Sequence, residues 1–94
     1  MALSTTIKKK AYEMKMEDAK ENDGVFHEYK EVTEFWTKRI MKLDLPTDFV
    51  FLIGPKVKRH TVIDVERIWD VEVPKKYHEF LKEGVMYYDI TVEV

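Results

Sequence analysis

The sequence contains no cysteine, and among its 94 residues only three glycines and three prolines. A chain without cysteine forms no disulfide, holds no metal through thiolates and has no thiol nucleophile. The longest apolar run, residues 49–53, is far too short to span a bilayer, and the first residues lack the apolar stretch of a secretory signal. We therefore expect a soluble, cytoplasmic protein with no membrane contact.

Metal and cofactor chemistry also lack a signal in the sequence. His27, His60 and His78 lie far apart, without the spacing of metal ligands. The sequence has neither a glycine-rich phosphate loop nor a nucleophile elbow. It therefore predicts no bound metal and no cofactor.

The net charge limits how the protein can bind nucleic acid. A formal charge of −2 has the wrong sign for binding through bulk electrostatics. Charged residues make up 36% of the chain, and the two signs are mixed along it, which is typical of a well-solvated surface. A local basic cleft on an otherwise acidic body remains compatible with this composition.

The length is enough for one domain with a modest core, so we expect a single domain over residues 1–94. Apolar periodicity and turn residues predict the order β-α-β-α-β-β-α-β. The predicted strands are residues 3–7, 25–32, 49–53, 60–73 and 85–94, and the predicted helices are residues 9–21, 33–43 and 74–84. Alternation in the strands favours an α+β fold with a mostly antiparallel sheet that curls into a small barrel.

The two tryptophans are expected in the core. Trp36 falls at helical spacing with Val32, Ile40 and Leu43, and Trp69 follows the apolar alternation of the longest predicted strand. Both rings could instead act as stacking platforms for bases. Their apolar surroundings favour packing.

Glu28 and Lys30 form the most informative pair. Residues two apart in a strand share a face, so an acid and a base point the same way beside an aromatic helix. Such a pair suggests a small polar recognition site, although an exposed salt bridge worth roughly 0–1 kcal/mol is the alternative. Arg67 interrupts an apolar strand face. Because an unpaired buried cation is costly, it should reach solvent, pair with an acid such as Glu28, or line a cleft.

A basic cluster follows the Gly54-Pro55 turn, and we predict that a loop presents it. Its members are Lys56, Lys58, Arg59 and His60. Such a cluster can contact about two or three phosphates, although it is also typical of a solvated turn. Any nucleic-acid surface is expected to combine this loop with two cations of the second predicted helix, Lys38 and Arg39.

Residues 28–40 read EYKEVTEFWTKRI and resemble the pattern E-Y-R-E-x-x-x-Y-W-x-K-R-L of small bacterial and phage ASCH domains, which belong to the PUA-like fold. Residues 7–14 read IKKKAYEM and are similar to the opening of that family, L-K-K-K-W-F-D-M. The predicted order of the later strands and helix is also similar. The resemblance implies a small PUA-like β-barrel flanked by about three helices.

In ASCH domains, a cleft between the barrel and the first helices is proposed to hold RNA or a nucleotide-like ligand. Some relatives hydrolyse the amide of acetylated cytidine with a lysine, a threonine and a glutamate. The resemblance puts the family glutamate on Glu28 and replaces its arginine with Lys30, which lacks the planar guanidinium fork. The family lysine falls on Lys20 when counted from Met14, but on Val25 when counted back from Glu28.

Three functions remain open from the sequence. The first, which the resemblance favours, is binding of RNA or a modified nucleoside by Glu28 and Lys30, with Lys20 and Arg67 as further members of the site. The second is an amidohydrolase that acts on acetylated cytidine. The third is a protein-binding or inhibitory factor of the phage type.

Overall fold

The computed structural model describes residues 5–53 and 56–94, with side chains for residues 9–50 and 58–94. Within these ranges there are two α-helices, α1 (Thr5–Glu21) and α2 (Glu34–Met41), and two short 3₁₀ helices span Asp70–Glu72 and Lys75–Phe80. The strands are β1 (Val25–Glu31), β2 (Thr47–Ile53), β3 (Lys56–Trp69) and β4 (Met86–Glu93). No helix in the described ranges has the length and apolar character needed to cross a membrane.

The four strands form one antiparallel sheet in the order β1-β4-β3-β2. This confirms the predicted α+β class and the antiparallel sheet. Cross-strand pairing defines an inner face, which α1 and α2 cover, and its central residues are Phe26, Glu28 and Lys30 of β1, Val62, Val65 and Arg67 of β3, and Tyr88, Ile90 and Val92 of β4. Helix α1 contacts both β1 and β2, the two outer strands. The core therefore lies between α1 and this face.

Helix α1 begins earlier than the sequence predicts. The predicted first strand covered residues 3–7, but Thr5–Ile7 are helical, so the prediction is wrong for those three residues. Residues 3 and 4 lie outside the described ranges. The spacing of Ile7, Ala11 and Met14 continues the helical period backward, which outweighs the weak strand preference of threonine. The predicted stop is confirmed, since Asp23 and Gly24 have positive φ angles of 56° and 81°.

Helix α2 begins where the sequence places it. The Thr33 hydroxyl accepts a hydrogen bond from the backbone N–H of Trp36 at 3.2 Å, which caps the helix. Val32, Trp36, Ile40 and Leu43 pack against the buried core, as their helical spacing predicts. Trp36 is therefore held in position beside the inner face.

Strand β3 contains an irregularity that the alternation pattern does not reveal. Its pairing with β4 shifts between Val62 and Asp64, so one extra residue, Ile63, bulges out. Val62 is consequently buried, whereas Ile63 is partly exposed. The strand also ends earlier than predicted, at Trp69, which is 50% exposed. The prediction that Trp69 belongs to the core is therefore wrong.

Two further elements differ from the predictions. The segment after Pro74 is a 3₁₀ helix, Lys75–Phe80, rather than an α-helix. The continuous apolar run at residues 49–53 is typical of a strand covered on both sides, but strand β2 lies at an edge of the sheet and Val50 is exposed. The burial of residues 51–53 and the Gly54-Pro55 turn lie outside what the structure describes.

Candidate ligand-binding site

A lysine from α1 meets Glu28 of β1 on the inner face. The Lys15 ammonium donates a hydrogen bond to Glu28 Oε2 at 2.7 Å. The Lys15 side chain is only 9% exposed and the Glu28 side chain 17%. Both charges have lost most of their hydration, so each depends on the other for compensation.

Lys30 approaches the same carboxylate from the neighbouring inner-face position of β1. Its ammonium lies 3.5 Å from Glu28 Oε1 and 5.2 Å from the centre of the Trp36 ring. The Lys30 side chain is 31% exposed, so it retains contact with solvent. Glu28 and Lys30 share a face, as the alternation of the strand predicts. We refer to Lys15, Glu28 and Lys30 as the charged triad.

The electrostatics of the triad keep Glu28 ionised. Burial by itself raises the pKa of a carboxyl group, but the ammonium groups of Lys15 and Lys30 outweigh burial here. The pKa of Glu28 is therefore lowered from its ordinary value of 4.5. At neutral pH the inner face presents a negative carboxylate between two positive groups.

We expect the lowered pKa of Glu28 to make folding stability sensitive to acid. The ordinary value of 4.5 applies to the unfolded chain. The contribution of Glu28 is thus fully present above that pH and is lost as the pH falls through the lower folded pKa. Urea unfolding over an acidic pH series should show a flatter pH dependence for Glu28→Gln than for the parent chain. Equal slopes for the two proteins would contradict this role, and Glu83→Gln, at an exposed position, provides the control.

Residues from α2, β3 and β4 border the triad. The hydroxyl groups of Tyr88 and Thr37 are hydrogen-bonded at 2.6 Å, which links β4 to α2. Arg67 of β3 lies opposite Tyr88, and its guanidinium is 5.7 Å from the centre of the Tyr88 ring. Arg67 thus reaches solvent along an aromatic ring, one of the outcomes that its position in the sequence predicts.

A second carboxyl group with a lowered pKa, that of Asp18, holds α1 in place. Asp18 accepts hydrogen bonds from Lys76 and from the hydroxyl of Tyr77, both in the second 3₁₀ helix. Burial raises the pKa of Asp18, but these two hydrogen bonds outweigh it and the pKa is lowered from 3.8. Because Asp18 lies one helical turn after Lys15, this contact fixes the part of α1 that carries Lys15.

The structure does not bring Lys20 to the triad. Lys20 is exposed and lies five residues after Lys15, a rotation of about 140° around the helix. Lys15, which the sequence analysis did not select, takes the position beside Glu28. A signal for it exists: Ala11, Lys15 and Ala19 are spaced by four, so Lys15 lies on a stripe of small residues that packs toward the sheet.

The predicted basic loop is part of a strand. Lys58 and Arg59 belong to β3, so they point to opposite faces of the sheet. Burial is the main cause that lowers the pKa of His60, and the nearby ammonium of Lys58 lowers it further. At neutral pH the imidazole therefore favours its neutral form. The backbone of Lys56 begins β3, but its side chain lies outside the described set. Lys58 and Arg59 therefore do not share one face of the sheet.

The remaining predicted cations, Lys38 and Arg39, lie on α2. Arg39 contacts the aromatic rings of Phe35 and Trp36, and Lys38 forms an i,i+4 ion pair with Glu34 at 3.0 Å. Both side chains are exposed. They therefore belong to the surface of α2.

Comparison with protein-family models, curated proteins and solved structures finds no match to this chain. The resemblance to ASCH domains therefore depends on the residues quoted for it alone.

Proposed function

We propose that this chain binds RNA or a nucleoside through a base edge at Glu28. One observation carries the proposal: an ionised, largely buried carboxylate accepts a short hydrogen bond from Lys15 and makes a longer contact to Lys30. A carboxylate offers about four acceptor positions, so further donors can bind it. An exocyclic amino group such as that of cytosine is the donor that carboxylates accept when they contact bases.

Groups around Glu28 complement the rest of such a ligand. Lys30 and Arg67 are cations that reach solvent on the inner face, and they can bind a carbonyl or phosphate oxygen. The ring of Trp36, which is half-buried beside Lys30, offers an aromatic surface to a base. The site therefore combines an acceptor, two donors and a flat ring, as recognition of a polar heterocycle requires.

The resemblance to ASCH domains supports the same ligand class. It adds a finer proposal for the fold, a PUA-like barrel, with which the antiparallel sheet and the helix–strand–helix order are compatible. Lys30 stands where the family has arginine, so we expect a single contact to an oxygen rather than a bidentate one. Lys15 replaces Lys20 as the lysine closest to the family glutamate.

Titration with nucleosides tests the proposal. In a Trp69→Phe background, Trp36 is the only tryptophan, and its fluorescence should change when cytidine binds beside Lys30. Glu28→Gln should weaken cytidine binding roughly tenfold or more, because it removes a charged hydrogen-bond acceptor. Glu83→Gln should bind as the parent does. Cytidine, uridine, adenosine and guanosine all failing to change the signal would refute nucleoside binding and favour the protein-binding alternative.

Amide hydrolysis is the second candidate, favoured by the contact between a buried lysine and a glutamate. In the free protein the Lys15 ammonium donates a hydrogen bond to the Glu28 carboxylate, and an ammonium can act as a base or nucleophile only after losing a proton. Incubation of the protein with acetylated cytidine distinguishes the two functions, because hydrolysis of the amide releases acetate and binding alone does not. Release no faster than in buffer, and equal for the parent and Lys15→Met, would remove the enzymatic function.

A further inference from the structure

A groove lies between α2 and β2, beside the charged triad. Its volume is about 440 Å³, within the range of about 300–1,000 Å³ that is usual for small-ligand sites. The residues that line it are Phe35, Lys38, Arg39, Lys42 and Phe49. Three of them are cations, two are aromatic and none is acidic. We refer to this feature as the α2 groove.

The positive charge of the groove is only partly neutralised. Lys38 is paired with Glu34, but both side chains are exposed, so this pair holds Lys38 weakly. Within the described residues, Arg39 and Lys42 have no carboxylate partner. On a chain with a net charge of −2, the groove is thus a local site for an anion.

An aromatic surface accompanies these cations. Phe35 is 58% exposed, and the Arg39 guanidinium lies 4.5 Å from the centre of its ring. Cations in the last turn of a helix are explained by the helix dipole alone, but an exposed phenylalanine beneath one of them is not. Cations beside exposed rings are the arrangement with which proteins bind single-stranded nucleic acid, since phosphates meet the charges and bases stack on the rings.

Trp36 connects the groove to the charged triad. Its ring lies 5.2 Å from the Lys30 ammonium and 6.0 Å from the Arg39 guanidinium, and 6.2 Å from the ring of Phe49. A ligand at Glu28 and a ligand in the groove would therefore be neighbours. Two adjacent sites with these properties fit consecutive nucleotides of one strand.

We infer that the α2 groove binds the nucleotide next to the one held at Glu28, with phosphates at Arg39 and Lys42 and a base against Phe35. The inference rests on the proposed function and extends it from a nucleoside to single-stranded RNA. A duplex keeps its bases stacked and paired, so it cannot place one on Phe35. The expected ligand is therefore a short single strand.

Fluorescence anisotropy with a labelled oligocytidylate tests the inference. A plot of log affinity against log salt concentration has a negative slope, and Arg39→Gln/Lys42→Gln should make it less steep by about 1.4, because two phosphate contacts are lost. Phe35→Ala should weaken binding roughly tenfold or more through lost stacking. Both variants should bind free cytidine as the parent does, since none of the three substituted residues touches the triad. Lys9→Gln/Lys75→Gln removes the same charge from exposed positions elsewhere and is the matched control.

The outcomes separate this inference from the proposed function. If the Arg39/Lys42 variant binds the oligomer like the Lys9/Lys75 control, the groove is not a contact surface, whatever cytidine does. If Phe35→Ala has no effect and polyglutamate competes as well as RNA, the groove is a general anion site and the inference is overturned. Loss of cytidine binding in Glu28→Gln, with unchanged oligomer binding in the groove variants, would uphold the proposed function alone.

Discussion

Replacing Lys15 with methionine is expected to lower the free energy of unfolding by about 3 kcal/mol. Removing one member of a buried ion pair typically costs about 3–5 kcal/mol, because the other charge is left buried without its partner. Here Glu28 keeps its longer contact to Lys30, so the lower end of that range applies. Urea unfolding monitored by circular dichroism at neutral pH measures the change.

Lys20→Met is the matched control for this loss. It makes the same substitution in the same helix at an exposed position, and its effect should stay within about 0.5 kcal/mol. Adding Glu28→Leu to Lys15→Met should recover much of the stability, since the buried carboxylate is then gone. If Lys15→Met and Lys20→Met behave alike, Lys15 does not compensate a buried charge, and the charged triad has no structural role.

Phe26→Ala is expected to destabilise the fold by about 3–5 kcal/mol. Phe26 is 2% exposed and packs in the core with Ala19, Val62 and Val92. Truncating a buried phenylalanine loses the transfer free energy of the ring and leaves a cavity, which together account for this range. The ring also lies edge-on to His60, with centroids 5.3 Å apart, so the substitution loses an aromatic contact as well. Thermal and urea unfolding give the measurement.

Phe35→Ala is the control for that substitution. It removes the same ring from the surface of α2, where the side chain is largely exposed, so we expect little change in stability. This control also shows whether Phe35→Ala is folded when it is used to test RNA binding. Equal destabilisation by Phe26→Ala and Phe35→Ala would mean that the core does not lie between α1 and the inner face.

Local patterns predicted the parts of the site that belong to a single element. The two-residue period of a strand placed Glu28 and Lys30 on one face, and Thr33 marked the start of α2. Helical spacing correctly predicted that Trp36 packs against the core. These features depend on neighbours a few residues away, which the sequence displays directly.

Features that depend on distant residues were not predicted. Lys15 meets Glu28 only because α1 packs across the inner face, and the spacing of Ala11, Lys15 and Ala19 does not indicate which residue of the sheet the lysine contacts. One bulged residue at Ile63 reverses the alternation of β3, so the two-residue period of the strand does not reveal that Val62 is buried. The expected basic loop is instead part of the hairpin of β2 and β3, so Lys58 and Arg59 point to opposite faces of the sheet.

Both the stability of the fold and the binding of a ligand are expected to depend on the charged triad. A carboxylate that folding leaves between two lysines is expensive to bury, and hydrophobic residues of similar size would often be at least as stable. Its presence on the inner face is more easily explained by a ligand that uses the negative charge. Lys15 would then hold the carboxylate in place while the more exposed Lys30 moves toward the ligand.

The most direct measurement is an acid titration of the Glu28 side chain by carbon-13 NMR, run with and without saturating cytidine. Because bound amino groups stabilise the ionised carboxylate as the lysines do, the midpoint should lie under 4.5 in the free protein and drop further with the nucleoside. A resonance that titrates at 4.5 and ignores cytidine would mean that this carboxylate is neither held by the lysines nor used to recognise a base.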